Sequence, residues 1–294
     1  MKYYTITPNG FKIRDFDLRH TIESAQPLTF HADFNLADGT LEYSTRDRLV
    51  KVTCLGNSKE CTVSLQSDDM DFAKKEFVKR FALNDDMKEV YEHIATDDFV
   101  TTAIEKYRGM RVTLNDPWET TLCFIMSQYN NVKRIRLIVK RFVAEFGPDI
   151  LDGEGKVIRK GFPSNEDLLG HTEMDFRRCG AGFRAKYIKS AADYCTNNLD
   201  LYKLQNKDYD KIKEELMDIS GVGDKVADCI ALMGYGKMEA FPIDVWVKRT
   251  LESIYFSGRA KKIPELHGFV EDRWPINRGY VQQYLFHYVR NNSF

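Results

Sequence analysis

The sequence predicts an α+β protein, with an antiparallel β-rich domain over residues 1–108 and a mainly α-helical domain over residues 109–294. Short runs of β-branched residues separated by turn residues occupy the first third, whereas apolar residues recur at helical spacing from about Asp69 onward. With 294 residues, of which 43% are hydrophobic and 30% charged, the chain can bury a core and reads as globular.

The strands of the first domain are marked by their residue types and by turn signals. The runs 49–55 and 61–65 are rich in Val, Leu and Thr, and Gly56 lies between them. Residues 35–44 indicate another hairpin, which turns at Gly39. Strands joined by such short turns pair antiparallel, so we expect an antiparallel sheet here.

Helical signals organise the second domain. Pro117 follows Asn115-Asp116 and suits the first turn of a helix. Residues 118–146 predict two helices broken at residues 129–131, and residues 149–170 are expected to be irregular. Further helices are expected at about 184–197, 208–218, 224–234, 245–255 and 278–291.

Composition excludes several classes of protein. No apolar run approaches the roughly 20 residues that span a bilayer, and the first residues lack a signal peptide, so we expect an intracellular protein without a membrane partner. The six cysteines form no C-x-x-C pair and fit neither a zinc nor an iron–sulfur site. The net charge is −1, but residues 131–190 hold 13 Lys and Arg residues against 8 Asp and Glu residues. Such a local excess is compatible with nucleic acid, although solvated faces also carry such runs.

The most informative stretch is a predicted helical hairpin over residues 216–228. One helix is expected to end at Asp218 and the next to begin by Asp224, so only a few residues connect them. Gly221 and Gly223 allow a tight turn and expose backbone N–H groups at a helix N-terminus, which makes a sequence-independent phosphate site. An ordinary corner between two helices would explain the glycines alone, but not the residues that follow.

Those residues are Lys225 and, about twenty positions later, Asp244. Breaking a glycosidic bond develops positive charge on the sugar, which a carboxylate stabilises. A neutral lysine amine can attack the anomeric carbon, and we expect desolvation and the helix N-terminus to favour the neutral form. Asp244 alone would be a helix cap and Lys225 alone a surface lysine; their combination favours catalysis.

The run KVADCI at residues 225–230, with the hairpin before it and Asp244 after it, resembles the 8-oxoguanine DNA glycosylases of the helix-hairpin-helix superfamily. The resemblance extends from about Tyr107 to Leu285. Monofunctional alkylpurine glycosylases look similar but lack the lysine, and endonuclease III has the lysine but adds a cysteine cluster that is absent here.

The resemblance implies roles for further residues. Six residues would form a pocket that contacts and recognises the extruded base, namely Cys229, Met233, Gln282, Phe286, Ala25 and Pro242. Without the resemblance, Met233 and Phe286 would be interpreted as core. Ala25 stands where the family has a glycine that acts through its carbonyl, so alanine still serves.

The resemblance also implies a DNA-binding set that comprises Tyr129, Asn130, Arg134, Phe183, Arg184, Gly221, Gly223 and Trp246. Two arginines would read the unpaired cytosine, with phosphate contact as the alternative for each. Phe183 would be a wedge that buckles the duplex. The chain departs from the family at Tyr129, where an asparagine is usual, so either its ring or Asn130 fills the gap. At Trp246 the family has a phosphate-binding histidine, so that contact changes.

The resemblance therefore implies a bifunctional enzyme that flips 8-oxoguanine out of double-stranded DNA, excises it preferably opposite cytosine, and nicks the strand by β-elimination. No cofactor or metal is required, although the hairpin carbonyls can hold a structural monovalent cation. We expect a monomer, cytoplasmic and nucleoid-associated if bacterial. The alternatives are a helix-hairpin-helix glycosylase for alkylated purines and a non-catalytic hairpin module that only grips DNA.

Overall fold

The computed structural model describes residues 3–292 of the chain. Within this range a single antiparallel sheet of six strands forms the first part of the fold, in the order β1-β2-β6-β5-β4-β3. Its strands are β1 (Tyr4–Thr7), β2 (Gly10–Arg14), β3 (Asp33–Asn35), β4 (Thr40–Ser44), β5 (Leu49–Gly56) and β6 (Glu60–Gln66).

Alternation of side chains explains which face of the sheet is buried. In β6, the side chains of Cys61, Val63 and Leu65 are buried while those between them are exposed. Gly39 sits at the predicted turn with φ +70°, and a Cβ there would lie 2.3 Å from the carbonyl oxygen of Cys54. The predicted antiparallel sheet is confirmed.

Two short helices interrupt the sheet between β2 and β3, namely α1 (Leu18–Glu23) and α2 (Leu28–His31). The remaining helices follow the sheet: α3 (Met70–Arg80), α4 (Met87–Ile94), α5 (Asp98–Lys106), α6 (Pro117–Ser127), α7 (Val132–Phe146), α8 (Glu173–Arg178), α9 (Ala185–Asn197), α10 (Tyr209–Met217), α11 (Asp224–Tyr235), α12 (Val245–Tyr255), α13 (Ile263–Arg273) and α14 (Arg278–Asn291). The predicted α+β class is therefore confirmed.

The segment predicted to be irregular, residues 149–170, instead begins with a hairpin of β7 (Asp149–Leu151) and β8 (Val157–Lys160). Gly155 turns this hairpin with φ +81°. The expectation of irregular structure was wrong here because both strands are too short to show an alternating pattern.

The described residues form two apolar cores. One lies between the sheet and α3, and the other joins the helices from α4 to α14. Helices α4 and α5 pack against α14, so residues 87–106 contribute to the helical core although they precede residue 109. The boundary at residue 108 stays a prediction.

A buried ion network joins the two parts. The carboxylate of Glu119 on α6 lies 3.0 Å from Nε2 of His31 and 3.2 Å from Nη1 of Arg80, and all three side chains are buried. Burial acts to raise the pKa of Glu119, but Arg80 and His31 outweigh it and hold the pKa at about 2. No described helix has both the length and the apolar character that crossing a membrane requires.

Candidate active site and nucleic-acid interface

The predicted hairpin is formed by α10 and α11, which residues 218–223 connect. Gly221 has φ +90°, and a Cβ on it would lie 2.6 Å from the ring of Tyr187. Gly223 is exposed and precedes the first turn of α11, and a Cβ on it would meet no atom within 4 Å. Packing therefore requires the first glycine, whereas the second leaves open surface at a helix N-terminus, where an anion can approach.

Lys225 lies in the first turn of α11, half-buried, with Nζ 5.5 Å from the centroid of the Phe124 ring. Burial acts to lower the pKa of Lys225, but the interaction with the Cys229 side chain and the negative charge of Asp244 outweigh it, so the pKa is raised. The expectation that desolvation leaves the amine neutral was therefore wrong. The resting state is an ammonium ion whose proton must leave before the nitrogen can attack.

Cys229 is one helical turn beyond Lys225, and its side chain is buried and hydrogen-bonded with the lysine. Burial raises the pKa of the Cys229 thiol to about 11, so the group is a neutral thiol near pH 7. The carboxylates of Asp244 and, to a smaller extent, Asp228 are therefore the anions that oppose the lysine charge at that pH.

Asp244 is the N-cap of α12. Its Oδ1 accepts a hydrogen bond of 2.7 Å from the backbone N–H of Val247. The same carboxylate acts electrostatically on Lys225. Capping thus fixes the carboxylate beside the lysine, and one geometry supports both the structural and the chemical interpretation.

Gln282 on α14 is buried, with only 6% of its surface exposed. Its Oε1 atom is buried and finds no hydrogen-bond partner among the described residues. Buried polar atoms are normally paired, and an unpaired one costs free energy. An amide held in this way is prepared to hydrogen-bond a ligand.

The other predicted pocket residues lie around the same core. Cys229 and Met233 belong to the helical core, and Phe286 and Ala25 pack against it. Pro242 is buried in the loop before Asp244.

Ala25 lies between α1 and α2 with φ +62°, in the left-handed region that favours glycine. Nε2 of Gln283 donates a 2.8 Å hydrogen bond to the carbonyl oxygen of Ser24. This bond ties the Ala25 segment to α14 next to Gln282. The backbone conformation agrees with the glycine that the resemblance implies at this position.

A loop between α6 and α7 carries an exposed aromatic tip. Tyr129 is 93% exposed and has φ +50°. Its ring centroid lies 6.1 Å from that of Phe183, which in turn lies 6.4 Å from that of Tyr187. Asn130 is half-buried, and its Nδ2 donates to the carbonyl oxygen of Met126 at 3.0 Å.

The two predicted arginines have different environments. Arg134 is exposed in the first turn of α7. Arg184 is only 4% exposed, its Nε donates to the carbonyl oxygen of Gln128 at 2.7 Å, and its guanidinium lies 4.4 Å from the centroid of the Phe183 ring. Burial and then Arg134 lower the pKa of Arg184, which indicates that the arginines are neighbours.

Gln128 is a connecting residue that sequence reasoning missed. Its backbone oxygen accepts from Arg184, and its Nε2 donates to the carbonyl oxygen of Gly221 at 2.9 Å. The aromatic tip and the hairpin are thus hydrogen-bonded through one residue. Nothing in the local sequence marks such a long-range contact.

Trp246 is 55% exposed in the first turn of α12, and Val245 beside it is also exposed. Two neighbouring apolar side chains therefore face solvent directly after Asp244. The contact with DNA expected of Trp246 stays a prediction.

Family models divide the chain into two matching regions. The model of the HhH-GPD superfamily base excision DNA repair proteins matches residues 122–275, and that of the 8-oxoguanine DNA glycosylase N-terminal domain matches residues 10–121. These matches and the fold define a helix-hairpin-helix glycosylase. The chain belongs to the HhH-GPD superfamily, and within it to the 8-oxoguanine DNA glycosylases.

Individual relatives agree. A probable N-glycosylase/DNA lyase of Methanothermobacter thermautotrophicus is 30% identical over 72% of this chain and 73% of its own length. The N-glycosylase/DNA lyase of Saccharomyces cerevisiae is 32% identical over 74% of this chain and 61% of its own length. The Clostridium acetobutylicum 8-oxoguanine glycosylase/lyase, solved with DNA containing cytosine opposite 8-oxoG, superposes with a TM-score of 0.87 at 27% identity, covering 100% of both chains.

Proposed function

We propose that this protein is a bifunctional DNA glycosylase that excises 8-oxoguanine from double-stranded DNA and then nicks the strand as an AP lyase. The observation that carries the proposal is Lys225, hydrogen-bonded with Cys229 and opposed by Asp244, directly after a glycine hairpin. Relatives with both activities in their names support it.

The reaction uses the pair in sequence. As the bond between the base and C1′ breaks, the base leaves with the bonding electrons and Asp244 stabilises the positive sugar. Lys225 gives up its ammonium proton, for which the departing base is an acceptor, and its nitrogen bonds to C1′. Opening of the sugar ring gives a Schiff base, and loss of a C2′ proton then expels the 3′ phosphate.

Lesion recognition is assigned to the pocket beside this pair. Gln282 hydrogen-bonds the edge of the flipped base through its unpartnered oxygen, and Phe286 stacks on the face. The Ala25 carbonyl contacts the ring of the base. Cys229, Met233 and Pro242 complete the walls.

DNA binding is assigned to the surfaces around the pocket. Gly221 and Gly223 present backbone N–H groups to phosphate, and Trp246 contacts the backbone nearby. Exposure favours the Tyr129 ring over Asn130 as the group that fills the gap left by the base. Phe183 wedges the duplex, and Arg134 with Arg184 reads the unpaired cytosine.

Further parts of the proposal concern the state of the protein. The enzyme acts as a monomer inside the cell, near its DNA, with domains at residues 1–108 and 109–294. The chemistry of Lys225 and Asp244 calls on no cofactor. A monovalent cation bound by the hairpin carbonyls is also part of the proposal. The carbonyl oxygens of Ile219 and Gly221 each already accept a hydrogen bond, so the cation would bind their second lone pairs.

Borohydride trapping on duplexes with 8-oxoguanine opposite each of the four bases tests the function. Wild-type protein should form a covalent adduct, and Lys225→Gln should abolish it while binding to lesion DNA largely survives, because phosphate contacts dominate affinity. Lys203 is an exposed lysine, so Lys203→Gln is a matched control that should form the covalent adduct as the wild-type protein does. If Lys225→Gln still forms the adduct efficiently, Lys225 is not the nucleophile. If the protein excises only alkylated purines, 8-oxoguanine is not its substrate.

A further inference from the structure

A second cluster of functional side chains lies on the neighbouring face of α11. Asp224 and Asp228 are one turn apart, and His267 projects toward them from α13. One potential ligand atom from each of these side chains lies within 4.8 Å of the other two. The proposed excision chemistry uses none of the three.

One side of this cluster is fully engaged. Nζ of Lys213 on α10 lies 2.9 Å from Oδ1 of Asp224 and 2.8 Å from Oδ1 of Asp228. The hydroxyl of Tyr209 donates to the same Oδ1 of Asp228 at 2.6 Å. Both carboxylates are therefore oriented through their Oδ1 atoms.

The other side is not engaged. Asp228 is fully buried, and its Oδ2 has no hydrogen-bond partner among the described residues. Nε2 of His267 is also buried without a hydrogen-bond partner, and it lies 3.6 Å from Oδ2 of Asp224. A buried carboxylate oxygen without a partner is costly, so this arrangement needs a group that satisfies it.

We propose that Asp224, Asp228 and His267 bind a divalent transition-metal ion of the zinc or manganese class. Two carboxylate oxygens and one imidazole nitrogen suit such an ion, whereas magnesium and calcium prefer oxygen ligands alone. Lys213 and Tyr209 act as the outer hydrogen-bonding groups that orient ligating carboxylates. Because Lys213 holds the Oδ1 atoms, the ion binds through Oδ2 without displacing it.

Charge and position agree with this assignment. The two carboxylates and Lys213 carry a net charge of one negative unit, which a cation neutralises. The ligands come from the first turns of α11 and from α13, with their orienting groups on α10. A bound ion would therefore fix α13 against the hairpin.

Metal binding to the free protein tests the proposal separately from excision. Tag-free protein stripped with a chelator is loaded with Zn²⁺ or Mn²⁺ and desalted, and metal per chain is measured together with thermal unfolding. We expect about one ion per chain after desalting. When free metal is then added back to a hundred times the dissociation constant, the Tm should rise by about 5 °C.

Variants locate the site. His267→Gln and Asp224→Asn, at positions that are not fully buried, should each lose the retained ion and the rise in Tm. Asp218→Asn, an exposed acidic residue of the hairpin connector, is the matched control and should keep both, as should Cys54→Ser, which tests thiol binding. Absence of retained metal in the wild-type protein, or unchanged retention in His267→Gln, would overturn the proposal and leave an Asp224–His267 ion pair instead.

Discussion

Replacing Gln282 by methionine should separate stability from excision. The substitution keeps the side-chain volume but removes an oxygen that is buried without a partner in the free protein. Because an unsatisfied buried polar atom costs about 1–3 kcal/mol, the free protein should gain about 1 kcal/mol, or about 2 °C in Tm. The same change removes the hydrogen bond to the flipped base, so single-turnover excision of 8-oxoguanine opposite cytosine should fall by about 5- to 150-fold.

The neighbouring glutamine provides the control. Gln283 donates a hydrogen bond to the carbonyl oxygen of Ser24, so Gln283→Met should leave that carbonyl unpaired and lower the Tm. Thermal unfolding of both variants and excision under single-turnover conditions give the comparison. If Gln282→Met lowers the Tm as Gln283→Met does, or if it leaves excision unchanged, the amide is an ordinary core residue and our interpretation of the pocket fails.

Three further predictions concern charge. Because the pKa of Lys225 is raised, the rate of Schiff-base formation with abasic DNA should increase as the pH rises. Asp244→Asn removes an anion, so this increase in rate should occur at lower pH in the variant. An unshifted pH profile would count against the effect of the Asp244 charge. The pKa of Glu119 is lowered from 4.5 to about 2, so its stabilisation is present above pH 4.5 and is lost as the pH falls toward 2. In urea unfolding, wild-type protein should lose about 3 kcal/mol more than Glu119→Gln across that window, and equal losses would contradict the pairing. Arg134→Ala should reduce the differences in excision rate between the four opposite bases without changing the Tm. Arg184→Ala should have the same effect and also lower the Tm, because Arg184 donates a hydrogen bond to Gln128. Uniformly weaker binding to all duplexes would indicate phosphate contacts instead.

Much of the secondary structure could be predicted from local sequence patterns. The strands at residues 49–55 and 61–65 were predicted because both runs are rich in Val, Leu and Thr and a glycine turn separates them, and β5 and β6 include these runs. Helices α1, α2, α8 and α13 were not predicted. The first two are shorter than two turns, and α13 mixes apolar and charged residues without a clean stripe, so tertiary contacts decide their conformation.

Some features of the candidate site could likewise be predicted from the sequence, and others could not. The Lys225–Asp244 pair was visible because both residues mark helix starts at a characteristic separation. The raised pKa of Lys225 was not visible, since it depends on charges that folding brings from Asp244 and from the next helical turn. The Asp224, Asp228 and His267 cluster was also missed because one member is about forty residues away on another helix.

The contact between Gly221 and Tyr187 restricts how related sequences can diverge. A β-carbon at position 221 would stand 2.6 Å from the tyrosine ring, and φ +90° adds backbone strain. A smaller residue at 187 would remove the contact with a larger residue at 221, but the backbone strain at 221 would remain. Such a paired change would also deprive the Phe183 ring of a neighbour and alter the support of the tip at Tyr129. Substitutions in the hairpin loop are thus coupled through Tyr187 and Phe183 to the surroundings of Tyr129, and these positions are expected to change together.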